Sequence, residues 1–160
     1  MSAPPPETPA APGLTFLAEL SVTVGEPIDV GPTPEGHRRV IPITGGTVTG
    51  PSLNGRVIPG GADYQLLRSP TLTELDARYV LETRDGHRIY VHNSALRHGS
   101  AEDIARLNRG ETVDAGSIYF RCWPRLTTAA PEWEWLNGRL AVGTGERHPD
   151  RVLIRIFLID

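Results

Sequence analysis

Four polar residues have the types and spacing that acid–base chemistry needs: Asp63, Glu82, Tyr90 and Arg121. A carboxylate, Asp63 or Glu82, can act as a general base, and Tyr90 can act as the acid near neutral pH. The guanidinium of Arg121 can hold an oxyanion that develops during the reaction. This set predicts catalysis on a small carbonyl-bearing molecule.

Asp63 has the most informative sequence context of the four. It follows Pro59-Gly60-Gly61-Ala62, and glycines before a strand allow a tight bend that can aim a carboxylate into the mouth of a pocket. An aspartate in this position can also simply accept hydrogen bonds from the amides of the turn. The sequence leaves both interpretations open.

Ligand-binding roles are predicted for Arg39, Gln65, Arg78 and Trp123. Strand alternation places Arg78 and Glu82 on one face of the strand and Leu75 on the other. Arg78 and Glu82 point into the lumen only if the Leu75 face packs on the outside of the barrel wall. If the faces are reversed, these side chains are ordinary surface charges. Arg121 and Trp123 either clamp a ligand or stack on each other.

Several kinds of chemistry are excluded or disfavoured by residue types. All 16 basic residues are arginine, so lysine Schiff bases and pyridoxal phosphate linkages are ruled out. The five histidines form no pair with metal-ligand spacing, and Cys122 lies in an apolar run that favours a packed core residue. We therefore expect neither a cofactor nor a metal.

The charge balance restricts the partners. The formal net charge is −3 and no basic run occurs, which argues against nucleic acid or an anionic membrane as a partner. A small-molecule ligand is expected instead, and association into a homo-oligomer is left open. Because the chain begins without a signal-peptide pattern and has no apolar run of membrane-spanning length, we expect it in the cytoplasm.

The elements that must position these side chains are mostly strands. Residues 14–24 and 71–83 alternate apolar and polar positions, Asp85-Gly86 indicates a hairpin, and 101–109 form one short helix capped by Ser100. We predict a disordered tail over residues 1–13. Residues 14–160 are predicted to form a single antiparallel β-barrel domain of about nine or ten strands, with a β-sandwich as the alternative.

Six short motifs occur along the chain: Phe16–Leu20, His37–Gly46, Leu53–Asp63, Ala77–Tyr79, Tyr119–Arg121 and Trp135–Asn137. In this order they resemble the bacterial and fungal domain-of-unknown-function family 3237. The resemblance implies a lipocalin-like β-barrel, and it associates the chain with small-molecule or secondary metabolism. Two departures are Tyr64, where a tryptophan is expected, and the pair Cys122-Trp123, where small polar residues are expected.

Three functions remain open at this stage. The first is a cofactor-independent acid–base enzyme of the isomerase, cyclase or lyase type, acting in the barrel lumen. The second is a non-catalytic small-molecule binding protein of the lipocalin-like type, and the third is an interaction module with a filled interior. Convergence of Asp63, Arg78 and Arg121 in one cavity would favour the enzyme.

Overall fold

The computed structural model describes residues 5–160, and nine antiparallel strands make up most of it. The helical elements are one α-helix, α1 (Ala101–Asn108), and two 3-10 helices, Ala115–Ser117 and Pro131–Gly138. The strands are β1 (Leu14–Val24), β2 (Ile28–Thr33), β3 (Gly36–Thr49), β4 (Gly55–Leu67), β5 (Leu72–Thr83), β6 (Arg88–His98), β7 (Tyr119–Thr128), β8 (Ala141–Arg147) and β9 (Arg151–Ile159).

The sheet closes on itself. Its strand order is β1-β9-β8-β7-β6-β5-β4-β3-β2, and β1 also pairs with β3, so eight strands form a closed barrel and β2 extends from β3 outside it. Closure gives most strands two hydrogen-bonded neighbours and removes the exposed edges of a sandwich. The predicted barrel and strand count are confirmed.

Two glycine pairs bend adjacent strands at the same level. Gly45 and Gly46 have φ values of 147° and 144°, and the pairing of β3 with β4 shifts register across them. On β4 the register with β5 shifts between Ile58 and Ala62, across Gly60, whose φ is 122°. These backbone conformations favour glycine, and the resulting bulges sharpen the turn of the barrel wall.

One half of the barrel interior is a packed apolar core. Leu81, Ile89 and Val91 are fully buried there, and the 3-10 helix Pro131–Gly138 covers that end with Trp133 and Leu136. Of the two tryptophans in this 3-10 helix, Trp133 is buried and Trp135 is exposed. The alternation of the helix turns Trp133 inward.

The α-helix lies at the opposite end of the barrel. Ser100 Oγ accepts a hydrogen bond from the Asp103 amide at 3.1 Å, and Ile104 and Leu107 are buried, which confirms the predicted cap and inward face. These two side chains pack with Val113 in a small cluster of their own. The helix therefore extends the core on one side of this end without filling the barrel.

The segment before β1 has no helix or strand over residues 5–13, and its residues are exposed. The first four residues of the predicted tail lie outside the described residues, and the disorder of the tail stays a prediction. In the described chain, no helix has both the length and the apolar character needed to cross a membrane.

Candidate functional site

A cavity occupies the half of the lumen opposite the plug. The space between its lining atoms, including the open mouth, totals about 540 Å³, of which about 50 Å³ admits the centre of a water molecule. The latter figure is room for a few waters, since one water needs roughly 10–15 Å³ measured this way. Aliphatic side chains from several strands form most of the wall: Val22, Val24, Ile41, Ile43, Leu75, Val152 and Ile154.

Asp63 is the carboxylate of this cavity. It follows the β4 bulge and lies opposite Ala77 of β5, on the inner face of the wall. One carboxylate oxygen accepts the Asp76 amide at 3.1 Å and the other accepts the Gln65 side-chain amide at 2.9 Å. Burial nevertheless raises the pKa of Asp63, against the opposing effect of these two hydrogen bonds.

Small residues open the space in front of Asp63. The row across the sheet runs from Asp63 through Ala77 to Asn93, and the next row includes Leu75 and Ala95. Two alanines at successive levels leave the volume that larger side chains would occupy. Asp63 and Asn93 therefore line the cavity on either side of a small residue, Ala77.

Arg97 of β6 is the most deeply buried charge in the lumen, with 2% of its surface exposed. Its guanidinium lies 5.8 Å from the centre of the Phe120 ring and donates one long hydrogen bond, 3.4 Å, to Asn108 Oδ1 of α1. Burial lowers the pKa of Arg97 to about 10, so the group stays protonated at neutral pH.

Unsatisfied polar atoms surround the cavity. Buried side-chain atoms normally have hydrogen-bond partners, so a cluster of exceptions needs an explanation such as water or a ligand. Four of the residues concerned line this cavity, and Thr73 lies beside Arg97 across β5 and β6. The atoms without a protein partner are Gln65 Oε1, Thr73 Oγ1, Tyr79 Oη, Asn93 Oδ1 and Arg97 Nε.

Two further arginines approach the same space. Arg147 lines the cavity, and Arg39 lies across from Gln65 on the neighbouring strand. Both are half-buried, and desolvation is the main cause that lowers the pKa of each. The charges of Asp63 and Arg97 act on this pair as well, so one electrostatic environment includes all four groups.

The structure brings three of the eight sequence-predicted site residues to the lumen: Asp63, Gln65 and Arg39. Of the two interpretations of Asp63, the one in which glycines aim the carboxylate into a pocket fits its position. The bulge shifts the register of β4 against β5 by two residues, so it keeps the inward parity that Val57 has before it, and residues 63 and 65 face inward after it.

Glu82, Arg78 and Tyr90 lie on the outer face of the barrel, which corrects their predicted grouping with Asp63. The inner face of β5 is taken by Leu75, Tyr79 and Leu81, so the alternate residues point outward. Glu82 pairs there with Arg56 and Arg88 at 3.0 and 3.1 Å, and Arg78 pairs with Asp76 at 3.4 Å. Tyr90 is 45% exposed.

Arg121 and Trp123 are also on the outside, because Phe120 and Cys122 occupy the inner face of β7. The Arg121 guanidinium lies 5.2 Å from the centre of the Tyr119 ring, and Trp123 is 52% exposed. Both border a shallow outer groove and have no access to Asp63. Cys122 is buried as predicted, and burial raises the pKa of its thiol to about 11.

Four residues of the lumen were not predicted from the sequence: Asn93, Arg97, Tyr79 and Arg147. For β6 a signal was present, because one alternation continues through Ile89, Val91, Asn93, Ala95 and Arg97, so the two polar residues share the apolar face. Among residues 5–160, no group of three or more His, Cys, Asp or Glu side chains is placed to hold a metal ion.

Comparison with known proteins identifies close bacterial relatives. The chain is 43% identical over 144 residues to the UPF0311 protein RPA1785 of Rhodopseudomonas palustris, covering 90% of this chain and 94% of the relative. The crystal structure of RPA1785 superposes with a TM-score of 0.90 over 96% of this chain and 100% of that one. An Acinetobacter baumannii protein described as β-barrel-like superposes with a TM-score of 0.83, at 39% identity, over 96% and 99% of the two chains.

A more distant fungal relative has a named activity. The hydroalkoxylation enzyme phnH of Penicillium herquei is 31% identical over 136 residues, which cover 85% of this chain and 76% of the fungal protein. The family model described as protein of unknown function (DUF3237) matches residues 12–159, nearly the whole barrel domain. With this match and these bacterial relatives, the chain belongs to the DUF3237 family.

Proposed function

We propose that the protein is a cofactor-independent acid–base enzyme of the cyclase or isomerase type, acting on a small carbonyl-bearing metabolite in the barrel lumen. The observation that carries the proposal is the placement of Asp63, a carboxylate with a raised pKa, in a cavity that also holds Arg97 and several unpartnered polar atoms. Perturbed titratable groups in a concave site are typical of catalytic centres.

Asp63 is suited to move a proton in both directions. Its raised pKa makes the carboxylate a stronger base than an ordinary aspartate and the carboxyl group a usable acid once protonated. The hydrogen bonds from Gln65 and the Asp76 amide fix the two oxygens in place, so little reorganisation is needed when the charge changes.

The proposed reaction is an intramolecular addition of a hydroxyl group to an alkene conjugated with a carbonyl. Asp63 removes the hydroxyl proton, the oxygen forms a bond to the distal alkene carbon, and the alkene electrons move onto the carbonyl oxygen as an enolate. Arg97 stabilises that enolate oxygen, and Asp63 then returns its proton to the carbon next to the carbonyl. Atoms and charge balance without any oxidant, reductant or cofactor.

The name of the fungal relative supports this reaction class, because hydroalkoxylation is the addition of an O–H bond across a carbon–carbon double bond. The aliphatic wall of the lumen supports it as well. A largely apolar site excludes bulk water, which strengthens the electrostatic interaction of Arg97 with a developing oxyanion and keeps water from competing with the substrate hydroxyl.

To test the proposal, the protein is incubated in D₂O with a panel of hydroxylated α,β-unsaturated ketones, and the products are analysed by mass spectrometry and NMR. We expect cyclised product that carries deuterium on the carbon next to the carbonyl, and a rate at least about 100-fold lower for Asp63→Asn. Glu74→Gln is the matched control, since Glu74 is a β5 carboxylate on the outer face paired with Arg68. Equal rates for wild type and Asp63→Asn would refute the assignment.

A non-catalytic binding protein is the second candidate. The aliphatic side chains that make up most of the cavity wall favour it, because such a surface binds apolar ligands without chemistry. In the same panel, this alternative is supported by compounds that bind with unchanged affinity to wild type and Asp63→Asn and are recovered intact from both.

A further inference from the structure

The interior of the barrel has more positive than negative charge. Two arginines, Arg97 and Arg147, line the cavity together with one carboxylate, Asp63, and Arg39 lies beside Gln65 on the neighbouring strand. The formal charge of the lining residues is 2 − 1 = +1, although the whole chain has a net charge of −3. The lumen is thus an exception to the charge of the protein as a whole.

Arg97 has no counter-ion within the described chain. No carboxylate oxygen of residues 5–160 lies within 4.0 Å of its guanidinium, and its Nε has no hydrogen-bond acceptor. Taking a guanidinium out of water without a partner is costly, and the positive charges of Arg39 and Arg147 add repulsion. An anion in the cavity would relieve both costs.

Asp63 does not neutralise this excess. Its two oxygens already accept hydrogen bonds from Gln65 and the Asp76 amide, and neither accepts one from an arginine. The acidic residues nearest the other two arginines are engaged at the surface: Asp29 with His37 at 2.5 Å, and Asp150 with Arg151 at 3.5 Å.

The remaining unpartnered atoms restrict the ligand further. Gln65 Oε1 is an acceptor without a partner, so a ligand that satisfies it must present a donor such as a hydroxyl group. Asn93 already has the Tyr79 hydroxyl beside it. About 50 Å³ of water-accessible space holds only a small polar head, while the 540 Å³ that includes the mouth leaves room for a larger body. The half-buried Val24, Arg147 and Val152 line this mouth.

We propose that the lumen selects organic anions, inserting a planar oxyanion group, a carboxylate or an enolate, against Arg97 while Arg39 and Arg147 attract the charge at the mouth. A planar oxyanion matches the fork of guanidinium donors. The inference takes from the proposed function only the premise that the lumen is the ligand site. The substrate class is defined further, because the ligand is expected to be negatively charged before any reaction takes place.

The test compares three probes of one shape and different charge: 4-hydroxybenzoate, 4-hydroxybenzamide and 4-hydroxybenzamidine, titrated calorimetrically into the full-length protein. We expect the anion to bind at least about tenfold more tightly than the neutral amide, and the cation not to bind. Dimedone is a cyclic 1,3-diketone that forms an enolate, and it is titrated above and below its own pKa. Tighter binding of its ionised form would show that the lumen accepts enolates, and binding of 4-hydroxybenzoate but not of ionised dimedone would restrict the ligands to carboxylates. Equal affinities for the anionic and neutral probes would overturn the inference.

Variants locate the anion. Arg97→Met should weaken 4-hydroxybenzoate binding at least about tenfold, whereas Arg88→Met, on the same strand but with its side chain 70% exposed, should leave it unchanged. If Arg97→Met does not fold, Arg147→Gln provides the same comparison with a smaller loss. An equal loss in Arg88→Met would contradict the lumen as the anion site.

Asp63→Asn separates this inference from the proposed function. The substitution removes catalysis under that proposal, yet it removes a competing negative charge from the lumen, so anion binding should be retained or strengthened. Retained turnover with no preference for anions would defeat only the present inference. Anion binding without turnover by wild type would defeat only the proposed reaction.

Discussion

The two halves of the barrel interior differ in how well their side chains are packed and how fully their polar groups are paired. Around Leu81, Ile89 and Leu136 the side chains are apolar, fully buried and covered by the 3-10 helix Pro131–Gly138. Around Asp63 and Arg97, buried polar atoms such as Arg97 Nε and Gln65 Oε1 lack partners, and space is left open. The first arrangement stabilises the fold, and the second is the kind of local compromise that proteins retain for function.

The largest effect should come from the packed half. Leu81→Ala removes a side chain that is 1% exposed, and we expect a loss of about 2–5 kcal/mol in the free energy of unfolding, because the lost contacts leave a cavity. Leu140→Ala, at a position that is 63% exposed, should change it by less than about 0.5 kcal/mol. Urea unfolding monitored by tryptophan fluorescence measures both, and similar losses at the two positions would contradict the assignment of the core.

In the polar half, replacing a buried side chain should raise the free energy of unfolding instead of lowering it. Arg97→Met replaces a buried cation that lacks a carboxylate partner by an apolar side chain of similar length, and we expect a gain of about 1–4 kcal/mol in stability. Urea midpoints in the absence of any added anion provide the measurement. A clear destabilisation would mean that the contacts of Arg97 with Phe120 and Asn108 outweigh the cost of burying its charge.

The smallest effect is a contrast in pH dependence between an inner and an outer carboxylate. The raised folded-state pKa of Asp63 means that its neutral form stabilises the fold at low pH. This contribution is complete below the unfolded pKa of 3.8 and is lost as pH rises through the folded value. Asp63→Asn should therefore gain stability relative to wild type as pH increases from about 3.8.

Glu82→Gln is the matched control for this contrast. Hydrogen bonds from Arg56 and Arg88 lower the pKa of Glu82, so its contribution is present above the unfolded value of 4.5 and is lost as pH falls through the folded value. This variant should lose stability relative to wild type as pH rises toward 4.5, the reverse of Asp63→Asn. Thermal midpoints across pH 3–7 distinguish the two signs, and parallel curves would contradict the inner and outer assignment.

The fold was largely predictable because alternation, hairpin turns and capping are local signals. The Asp85-Gly86 turn and the Ser100 cap each occur where the sequence indicates them. Closure into a barrel followed from the need to remove edge strands, and the pairing of β1 with β3 satisfies that need.

The site was only partly predictable because alternation gives two faces without saying which one is inside. For β5 the apolar face turned inward and took Arg78 and Glu82 out of the site. Asp63 was found because the glycine pair before it is a local signal for a bulge in the strand, and a bulge is present there. Arg97 continues the apolar alternation of β6, so the sequence contained a signal for it. Arg147 follows glycines on the inner face of β8, where no apolar pattern marks the face.

The helical plug has a consequence for how any ligand must travel. Because Trp133 and Leu136 close one end of the barrel, a ligand has to enter and leave the lumen through the opening at the other end. Under the proposed cyclisation, a flexible substrate would enter through this opening and a more rigid product would have to leave through it. This opening is bordered by Val24 and Val152, and its width therefore determines whether product release or bond formation limits turnover.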